Sequence, residues 1–351
     1  MRVYVDIRVL SSDKPVGVAK YTLSVIKLLK KISSVEIVGI SNRDISKVYD
    51  MSDFSEVIVK PGWRFIPGSI FIMLFSGLFI QKGSVFLGLN HCVPLIGDFK
   101  KVLFIHDFVY KLYPETQLRT NKILQSMSVS LGLISCHELA FVSRYTREVF
   151  RYQRFSKAFN KPIRIVPNIP AISHSSVPVS EVSKPFIFAL GSIEPRKNLI
   201  ELVKQFHTVR EQMDCQLVIA GPKGWKNEEL YRLVDCSEFR DDILFVGYLS
   251  DSEVNWCYKN CLVFCFPSIY EGFGIPPFEA LQAGAKVVGT IYSELRYYCD
   301  TAGLIIYDPE YDALANLLIL SLAQPKCASD FSFDFHDHAK REIAAILGRH
   351  S

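Results

Sequence analysis

Short apolar runs alternate with segments of helical spacing along nearly the whole of this 351-residue chain. Lys101–His106, Phe186–Leu190 and Leu304–Tyr307 have the length of buried strands and are bounded by polar, Gly or Pro residues. Val18–Lys31 instead repeats its apolar residues with the period of a helix. Strands that alternate with helices form parallel sheets covered by helices. The pattern therefore predicts an α/β fold with parallel sheets.

The chain is long enough for two domains of ordinary size. Ile169–Lys184 is rich in Ser, Pro and Val and has no clear period, which predicts an interdomain linker. We therefore expect a first domain over residues 1–168, which begins with a strand at Val3–Val9, and a second domain over residues 185–332.

Charge is distributed unevenly between the two halves. Residues 1–168 contain 24 Lys and Arg against 12 Asp and Glu, whereas the remaining residues contain 16 against 24. A basic half suits an anionic membrane surface, a phosphorylated acceptor or nucleic acid. A solvated surface without a partner is the alternative. Hydrophobic content of 49% indicates a globular protein rather than a disordered one.

Cysteine and histidine clusters in the chain do not have the spacing of metal sites. The nine cysteines include no Cys-x-x-Cys pair, and Cys257, Cys261 and Cys265 are interpreted as small core residues. Asp334–His338 contains two His and two Asp, but helical spacing continues beyond it, so we expect a helix there. No signal peptide is recognisable at the start, and the odd cysteine count fits reduced thiols in the cytosol.

The segment PSIYEGFGIPPFEALQAG, residues 267–284, follows the apolar run Cys261–Phe266. This order predicts a strand, a loop and a helix that begins near Pro276–Pro277, with Glu271 in the loop and Glu279 in the first helical turn. A helix N-terminus attracts anions, and Gly274 lets the backbone approach a ligand closely. Two carboxylates beside an anion site suit a phosphorylated, polyhydroxylated ligand. Alternatively, Glu279 only complements the helix dipole.

The segment GSIEPRKN, Gly191–Asn198, also lies between a predicted strand and a predicted helix. Arg196 and Lys197 near a helix start can bind a diphosphate, Arg as a planar fork and Lys as a point charge. Two exposed surface cations are the alternative.

Two positions in the first half follow predicted strands in a similar way. Gly17 lies in the loop between the first strand and the first helix, and His106 ends the strand Lys101–His106. Ligands of α/β sheets bind at the carboxyl ends of strands. A turn glycine and a structural histidine are the alternatives. The first loop has no Gly-x-Gly-x-x-Gly, which disfavours a dinucleotide-dependent enzyme.

Three of these segments resemble motifs of a known family. Glu271-Gly-Phe-Gly followed by Glu279 resembles the Glu-x7-Glu motif of retaining glycosyltransferases of family 4 with the GT-B fold. GSIEPRKN resembles their phosphate loop in bacterial polysaccharide (O-antigen or capsule) mannosyltransferases, and IHDFVYKLYPE matches a pattern of the first domain. The resemblance implies two facing Rossmann-like domains and a C-terminal helix, residues 333–351, that packs on the first.

The resemblance also implies roles for individual residues. Glu271 would contact the donor sugar, Arg196 and Lys197 the diphosphate, and His106 the region of donor sugar and acceptor. Many relatives have Arg directly after the glycine of the phosphate loop, where this chain has Ser192. The residues implied for donor binding are Gly17, Ser192, Tyr248, Phe273, Gly274, Ile275 and Glu279, the last on the ribose.

The activity implied is a metal-independent, retaining hexosyl transfer without a cofactor. The expected donor is GDP-mannose, and the expected acceptor is a lipid-diphosphate-linked glycan or an oligosaccharide of cell-surface polysaccharide biosynthesis. We expect a cytoplasmic protein that is peripheral at the anionic inner face of the cell membrane and binds no nucleic acid. GDP-rhamnose, UDP-glucose and UDP-hexosamine remain open as donors, as does a sugar-nucleotide epimerase. A non-catalytic nucleic-acid-binding or glycan-binding protein is the other alternative.

Overall fold

The computed structural model describes residues 1–11, 17–45, 50–324 and 333–349. The chain divides into two compact units, the first comprising Met1–Ile169 with Asp334–Ser351 and the second Pro170–Phe333. In each unit a parallel β-sheet is flanked by helices, so the expected α/β class is confirmed. The predicted linker, Ile169–Lys184, contains no helix or strand; Ile169 belongs to the first unit and the rest to the second.

The described residues of the first unit form a seven-stranded parallel sheet with the order β3-β2-β1-β4-β5-β6-β7. Its strands are β1 (Arg2–Asp6), β2 (Glu36–Ser41), β3 (Glu56–Val59), β4 (Val85–Gly88), β5 (Lys100–Ile105), β6 (Glu138–Phe141) and β7 (Ile163–Ile165). Its helices before the linker are α1 (Val18–Lys30), α2 (Gly68–Leu74), α3 (Val109–Leu112), α4 (Arg119–Ser135) and α5 (Arg144–Arg151).

The described residues of the second unit form a six-stranded parallel sheet with the order β10-β9-β8-β11-β12-β13. Its strands are β8 (Phe186–Leu190), β9 (Gln216–Ala220), β10 (Ile243–Gly247), β11 (Val263–Phe266), β12 (Val287–Thr290) and β13 (Leu304–Tyr307). Its helices are α6 (Leu199–Arg210), α7 (Glu228–Asp235), α8 (Asp251–Asn260), α9 (Ile275–Gln282) and α10 (Leu314–Ala323). The last helix, α11 (Phe335–Ile346), belongs to the first unit and packs on α1 and β7.

Each sheet is apolar on both faces because helices cover both of them. In the first unit, Phe86 and Leu103 of the sheet pack with Phe71 of α2 and Val129 of α4. Among the residues that the structure describes, no helix combines the length and the apolar character needed to cross a bilayer.

In each sheet, the direction in which successive strands are added reverses at one place. The chain moves outward from β1 to β3 and then returns to place β4 on the other side of β1. In the same way, β9 and β10 lie on one side of β8, and β11 lies on the other. Loops at the carboxyl ends of the two strands beside such a switch point diverge and leave a crevice, where α/β proteins bind ligands.

Two predicted boundaries are wrong for local reasons. The first strand ends at Asp6 rather than Val9, because the Asp6 carboxylate accepts a hydrogen bond from the Arg8 backbone N–H at 3.2 Å and the chain turns into a 3-10 helix. Helix α9 begins at Ile275, immediately after Gly274 in the left-handed conformation (φ 88°). Glu279 is therefore the fifth residue of α9 and lies in its second turn, not its first.

Gly221 provides a test of how tightly the carboxyl ends of β8 and β9 pack. Its φ is 135°, and a Cβ at this position would lie 2.1 Å from the Gly191 carbonyl oxygen. We expect Gly221→Ala to lower the free energy of unfolding by about 2 kcal/mol, from backbone strain and overpacking together. Thermal unfolding measures the loss. The control is Gly62→Ala, where a Cβ meets nothing within 4 Å. Equal melting temperatures would contradict the prediction.

Candidate functional site

Two loops meet at the switch point of the second sheet. The first follows β8 and ends in a 3-10 turn, Pro195–Lys197, and the second connects β11 to α9. The Ile269 backbone N–H donates to the Arg196 carbonyl oxygen at 3.0 Å and joins the two loops directly. Strands β8 and β11 are neighbours, so these loops carry their side chains to the same edge of the sheet.

Glu271 is held between the two predicted cations. Its Oε1 lies 2.5 Å from Arg196 Nη1 and 2.7 Å from Lys197 Nζ. Arg196 also donates from Nη2 to Glu194 Oε1 at 2.6 Å and from Nη1 to the Tyr270 carbonyl oxygen at 3.2 Å. The structure thus brings together three residues that the sequence analysis selected. It adds Glu194, which lies inside the GSIEPRKN motif but had been given no role.

The charges of this network stabilise one another. Burial by itself would raise the pKa of Glu271, but the adjacent Arg196 and Lys197 lower it to about 2. Burial lowers the pKa of Lys197, and the Glu271 carboxylate opposes that effect. The site therefore holds an ionised carboxylate at neutral pH, next to a guanidinium and an ammonium group.

A small cavity lies beside this network, and its lining includes Gly191, Lys197, Phe266 and Ser268. Lys197 Nζ lies 4.8 Å from the centre of the Phe266 ring, within the range of a cation–π contact. A side chain at Gly191 would collide with the Lys197 stem, since a Cβ would lie 2.9 Å from its Cε. The Ser268 hydroxyl is buried and has no hydrogen-bond partner among the described residues. Sequence analysis missed this polar atom.

The N-terminus of α9 lies at the end of the same loop. Gly274 is its N-cap, no side chain caps the first turn, and Ile275 is the first helical residue. Glu279 is buried in the next turn, where its Oε2 accepts a hydrogen bond from the Tyr258 hydroxyl at 3.3 Å. The Phe273 ring is buried against Phe278, with 5.1 Å between centroids, so that side chain belongs to the core.

The other two predicted donor-binding residues of this unit lie at neighbouring strand ends. Ser192 is half-buried directly after Gly191 at the end of β8. Tyr248 follows β10, two strands from β8, and 37% of its surface is exposed. Both therefore lie at the carboxyl edge that carries Glu271.

Within the first unit, Tyr21 contacts both Gly17 and His106. The Tyr21 ring meets the His106 ring edge-on, with 5.0 Å between centroids, and the Tyr21 backbone N–H donates to the Gly17 carbonyl oxygen. His106 Nε2 lies 2.7 Å from the Leu89 carbonyl oxygen, so this nitrogen carries the proton. Burial lowers the pKa of His106 to about 4, which makes the imidazole neutral at physiological pH.

His91 is a residue of this region that sequence analysis missed. It follows β4, is buried, and has a left-handed backbone with φ 56°. Its ring centroid lies 5.3 Å from that of His106, and its Nδ1 has no hydrogen-bond partner among the described residues. A strained, buried histidine with an unpartnered nitrogen is typical of functional sites. Its position three residues after the end of β4 was the available signal.

Within the described ranges, no group of three or more His, Cys, Asp or Glu side chains is arranged to hold a metal ion. Cys257, Cys261 and Cys265 are buried free thiols, as the interpretation of them as core residues requires. His336 contacts Asp337 on the exposed side of α11, at 3.2 Å.

Residues 174–333 match the family described as "Glycosyl transferases group 1". Among curated proteins, O-antigen chain mannosyltransferase B of Escherichia coli is 27% identical over 283 residues, which cover 76% of this chain and 69% of that protein.

Two solved structures are similar over nearly the full length. Sucrose-phosphate synthase from Thermosynechococcus elongatus has a TM-score of 0.70 at 16% identity, covering 98% of this chain and 94% of that one. Anabaena Alr3699/HepE, solved with UDP and glucose, has a TM-score of 0.64 at 13% identity, covering 99% and 96%. At these identities the likeness shows the fold, and the expected GT-B fold is confirmed.

Replacing Glu271 with Gln tests the charge network. Arg196 and Lys197 would remain largely buried without their shared carboxylate, so we expect a loss of about 3 kcal/mol in the free energy of unfolding at pH 7. The folded-state pKa of Glu271, about 2, lies below its ordinary value of 4.5. The excess free energy of unfolding of the wild type over Glu271→Gln is therefore fully present above pH 4.5 and disappears as the pH falls towards 2.

Urea unfolding of both proteins across this pH range measures the difference. Glu229→Gln, on the exposed side of α7, is the matched control and should change stability by less than about 0.5 kcal/mol. If the wild type and Glu271→Gln have equal stability at pH 7, the carboxylate does not hold the two cations.

Proposed function

We propose that this chain, whose residues 174–333 match the family described as glycosyl transferases group 1, transfers mannose from GDP-mannose to a glycan acceptor with retention of configuration. The observation that carries the proposal is the network of Arg196, Lys197 and Glu271 at the switch point of the second sheet. The choice of mannose follows the name of the Escherichia coli relative.

The donor diphosphate would bind to Arg196, Lys197 and the N-terminus of α9. Arg196 presents a planar fork to phosphate oxygens, and Lys197 adds a point charge. The uncapped first turn of α9, after Gly274, contributes backbone dipoles that favour an anion. These groups supply positive charge without a metal ion, so we propose metal-independent transfer with no cofactor.

Glu271 would change partners when the donor binds. In the structure its carboxylate pairs with both cations. Phosphate oxygens compete for the same cations, which frees the carboxylate to accept hydrogen bonds from sugar hydroxyls. Its low pKa keeps it ionised, as an acceptor of such bonds requires. A carboxylate so strongly paired is a weak nucleophile, and we assign Glu271 no covalent role.

The chemical step would proceed on the face of the sugar that carries the diphosphate. An acceptor hydroxyl oxygen bonds to the anomeric carbon while the bond to the phosphate oxygen breaks, and the acceptor proton passes to the departing phosphate. Negative charge grows on that phosphate. Arg196 and Lys197 stabilise it, and the loss of one such donor costs about 3 kcal/mol of transition-state stabilisation.

The remaining donor contacts follow the carboxyl edge of the second sheet. Glu279 would bind the ribose hydroxyls, because its carboxylate is already oriented by Tyr258. Tyr248, partly exposed after β10, would pack against the base. Ser192 would add a hydroxyl to the phosphate loop. Backbone groups of Phe273, Gly274 and Ile275 would contact the sugar and diphosphate.

In the first unit, we assign Gly17 and His106 to the region of donor sugar and acceptor. A neutral imidazole with its proton on Nε2 leaves Nδ1 as an acceptor for a sugar hydroxyl. Gly17 adopts φ 48° at the start of α1, and a Cβ there would meet open space, so the loop leaves room for a ligand.

The acceptor we propose is a lipid-diphosphate-linked glycan of cell-surface polysaccharide synthesis. Two observations support it: the name of the Escherichia coli relative and the excess of 12 positive charges in residues 1–168. Such an acceptor lies at the anionic inner face of the cell membrane. We accordingly propose a cytoplasmic enzyme that is peripheral at that face and has no nucleic-acid partner.

Calorimetric titration with GDP, UDP, dTDP and ADP tests the donor site. We expect GDP to bind tightest, and Lys197→Ala and Glu279→Ala each to weaken binding about tenfold, since each removes a charged hydrogen-bonding partner. Lys204→Ala, on the exposed side of α6, is the control and should bind like the wild type. Tightest binding of UDP would replace the donor with a UDP-sugar. Binding of oligonucleotides but of no nucleotide would overturn the proposal.

The stereochemistry of transfer is tested with GDP-α-mannose and a synthetic lipid-diphosphate-linked oligosaccharide ending in mannose. Because bond formation and cleavage share one face, we expect an α-linked product by NMR of the anomeric proton, at an unchanged rate in EDTA. A β-linked product would contradict retention, and loss of activity in EDTA would contradict metal independence. Conversion of the sugar nucleotide without transfer would identify an epimerase instead.

A further inference from the structure

Helix α4 exposes a row of large apolar side chains. Ile123, Met127 and Ile134 are 59%, 44% and 78% exposed. On an α-helix, positions four and eleven residues apart differ by only about 40° and about 20° in direction, so the three side chains share one face. The opposite face, with Val129 and Leu133, is buried against the sheet. The helix is thus apolar on both its inner and its outer side.

Neighbouring elements extend this row into a surface. Helix α2 packs against α4, and its last residue, Leu74, is exposed. The Ser135 hydroxyl at the end of α4 donates to the Pro94 carbonyl oxygen at 3.0 Å, which brings the exposed Ile96 close. A Cβ on Gly77 would lie 2.5 Å from the Ile96 carbonyl oxygen, so the 3-10 turn beside it belongs to the same surface. We define the apolar patch as Leu74, Leu78, Ile96, Ile123, Met127 and Ile134.

The segments that build the patch contain no acidic residue. Neither residues 57–97 nor residues 116–137 include an Asp or Glu. Their cations are Lys60, Arg64, Lys82, Arg119 and Lys122, and Lys82 pairs with Asp98 at 2.8 Å. Arg119 and Lys122 are exposed on α4, in the first turn before Ile123. A patch of six exposed apolar side chains with basic residues around it differs from the scattered exposed apolar residues of most soluble proteins.

We propose that the apolar patch docks the first unit onto an anionic lipid bilayer, with α4 lying along the membrane surface. Apolar side chains enter the boundary between headgroups and acyl chains, and the basic residues remain among the anionic headgroups. Charge selects this occupant. If a second copy of the chain covered the patch, the basic residues around the two patches would repel each other. An anionic bilayer instead attracts these basic residues.

This inference is independent of the nucleotide site, which lies in the second unit. It deepens the proposed membrane association by naming the elements that make it. Removal of the patch is therefore expected to leave nucleotide binding unchanged. Failure of the docking surface would appear in vesicle flotation, whereas failure of the proposed donor site would appear in nucleotide titration.

Flotation of the full chain with two kinds of vesicle tests the inference. One kind is phosphatidylcholine alone, and the other contains equal parts of phosphatidylcholine and phosphatidylglycerol. We expect the wild type to float with the anionic vesicles, more strongly at low than at high ionic strength. Ile123→Ser with Met127→Ser and Ile134→Ser should reduce the partition coefficient at least about tenfold. Arg119→Gln with Lys122→Gln should reduce it about tenfold and flatten the salt dependence.

Two control variants match these changes elsewhere on the chain. Val177→Ser with Tyr311→Ser and Leu320→Ser removes three exposed apolar side chains of the second unit. Lys27→Gln with Lys204→Gln removes two exposed charges on α1 and α6. The partition coefficients of both control variants should lie within about twofold of the wild-type value, because charges farther from the membrane than the Debye length contribute little.

Three results would overturn the inference. One is flotation of the triple patch variant at the wild-type level. Another is an equal loss of flotation in the triple control variant, which would indicate nonspecific hydrophobic adsorption to the vesicles. The third is a wild-type dimer that the triple patch variant converts to a monomer, measured by light scattering after gel filtration, which would show that a second copy covers the patch. Unchanged far-UV circular dichroism and thermal unfolding of every variant confirm that the variants are folded.

Discussion

The proposed donor site depends on the pairing of one carboxylate, Glu271, with two cations, Arg196 and Lys197. These groups come from loops after two neighbouring strands, so their attraction holds the loops in register. A largely buried ion pair repays its desolvation cost only in part, and its value lies more in fixing geometry than in stability. The same pairing keeps two cations in position for an anion that can displace the carboxylate. Folding of the site and binding of the donor thus use the same charges.

The position of that network follows from strand order. In each sheet, the direction in which successive strands are added reverses once, beside β1 in the first unit and beside β8 in the second. Arg196, Lys197 and Glu271 lie in loops at the carboxyl edge beside the second of these points. Backbone contacts enforce the arrangement, as where Gly221 donates to the Gly247 carbonyl oxygen at 2.7 Å and approaches Gly191. Glycine is required there because a side chain has no space.

The two units divide the chemistry of the proposed reaction by charge. The second unit places cations at one buried point within a sequence that is acidic on balance, which suits recognition of a compact diphosphate. The first unit spreads its cations around exposed apolar side chains, in segments without a single acidic residue. A diffuse basic surface with apolar residues at its centre suits an extended anionic surface rather than a small anion.

The sequence by itself determined the alternation of elements, because apolar runs bounded by Gly and Pro are local signals. Phe186–Leu190 and Leu304–Tyr307 have the predicted limits. It also selected Glu271, Arg196 and Lys197, which the structure brings together, through motifs in which spacing and residue type are both specific. Tertiary structure alone decided that the His91 ring meets the His106 ring, because the neighbouring strands β4 and β5 place these two residues. It also decided that Ile123 faces outward, because helical spacing shows that a face is apolar but not whether another element covers it.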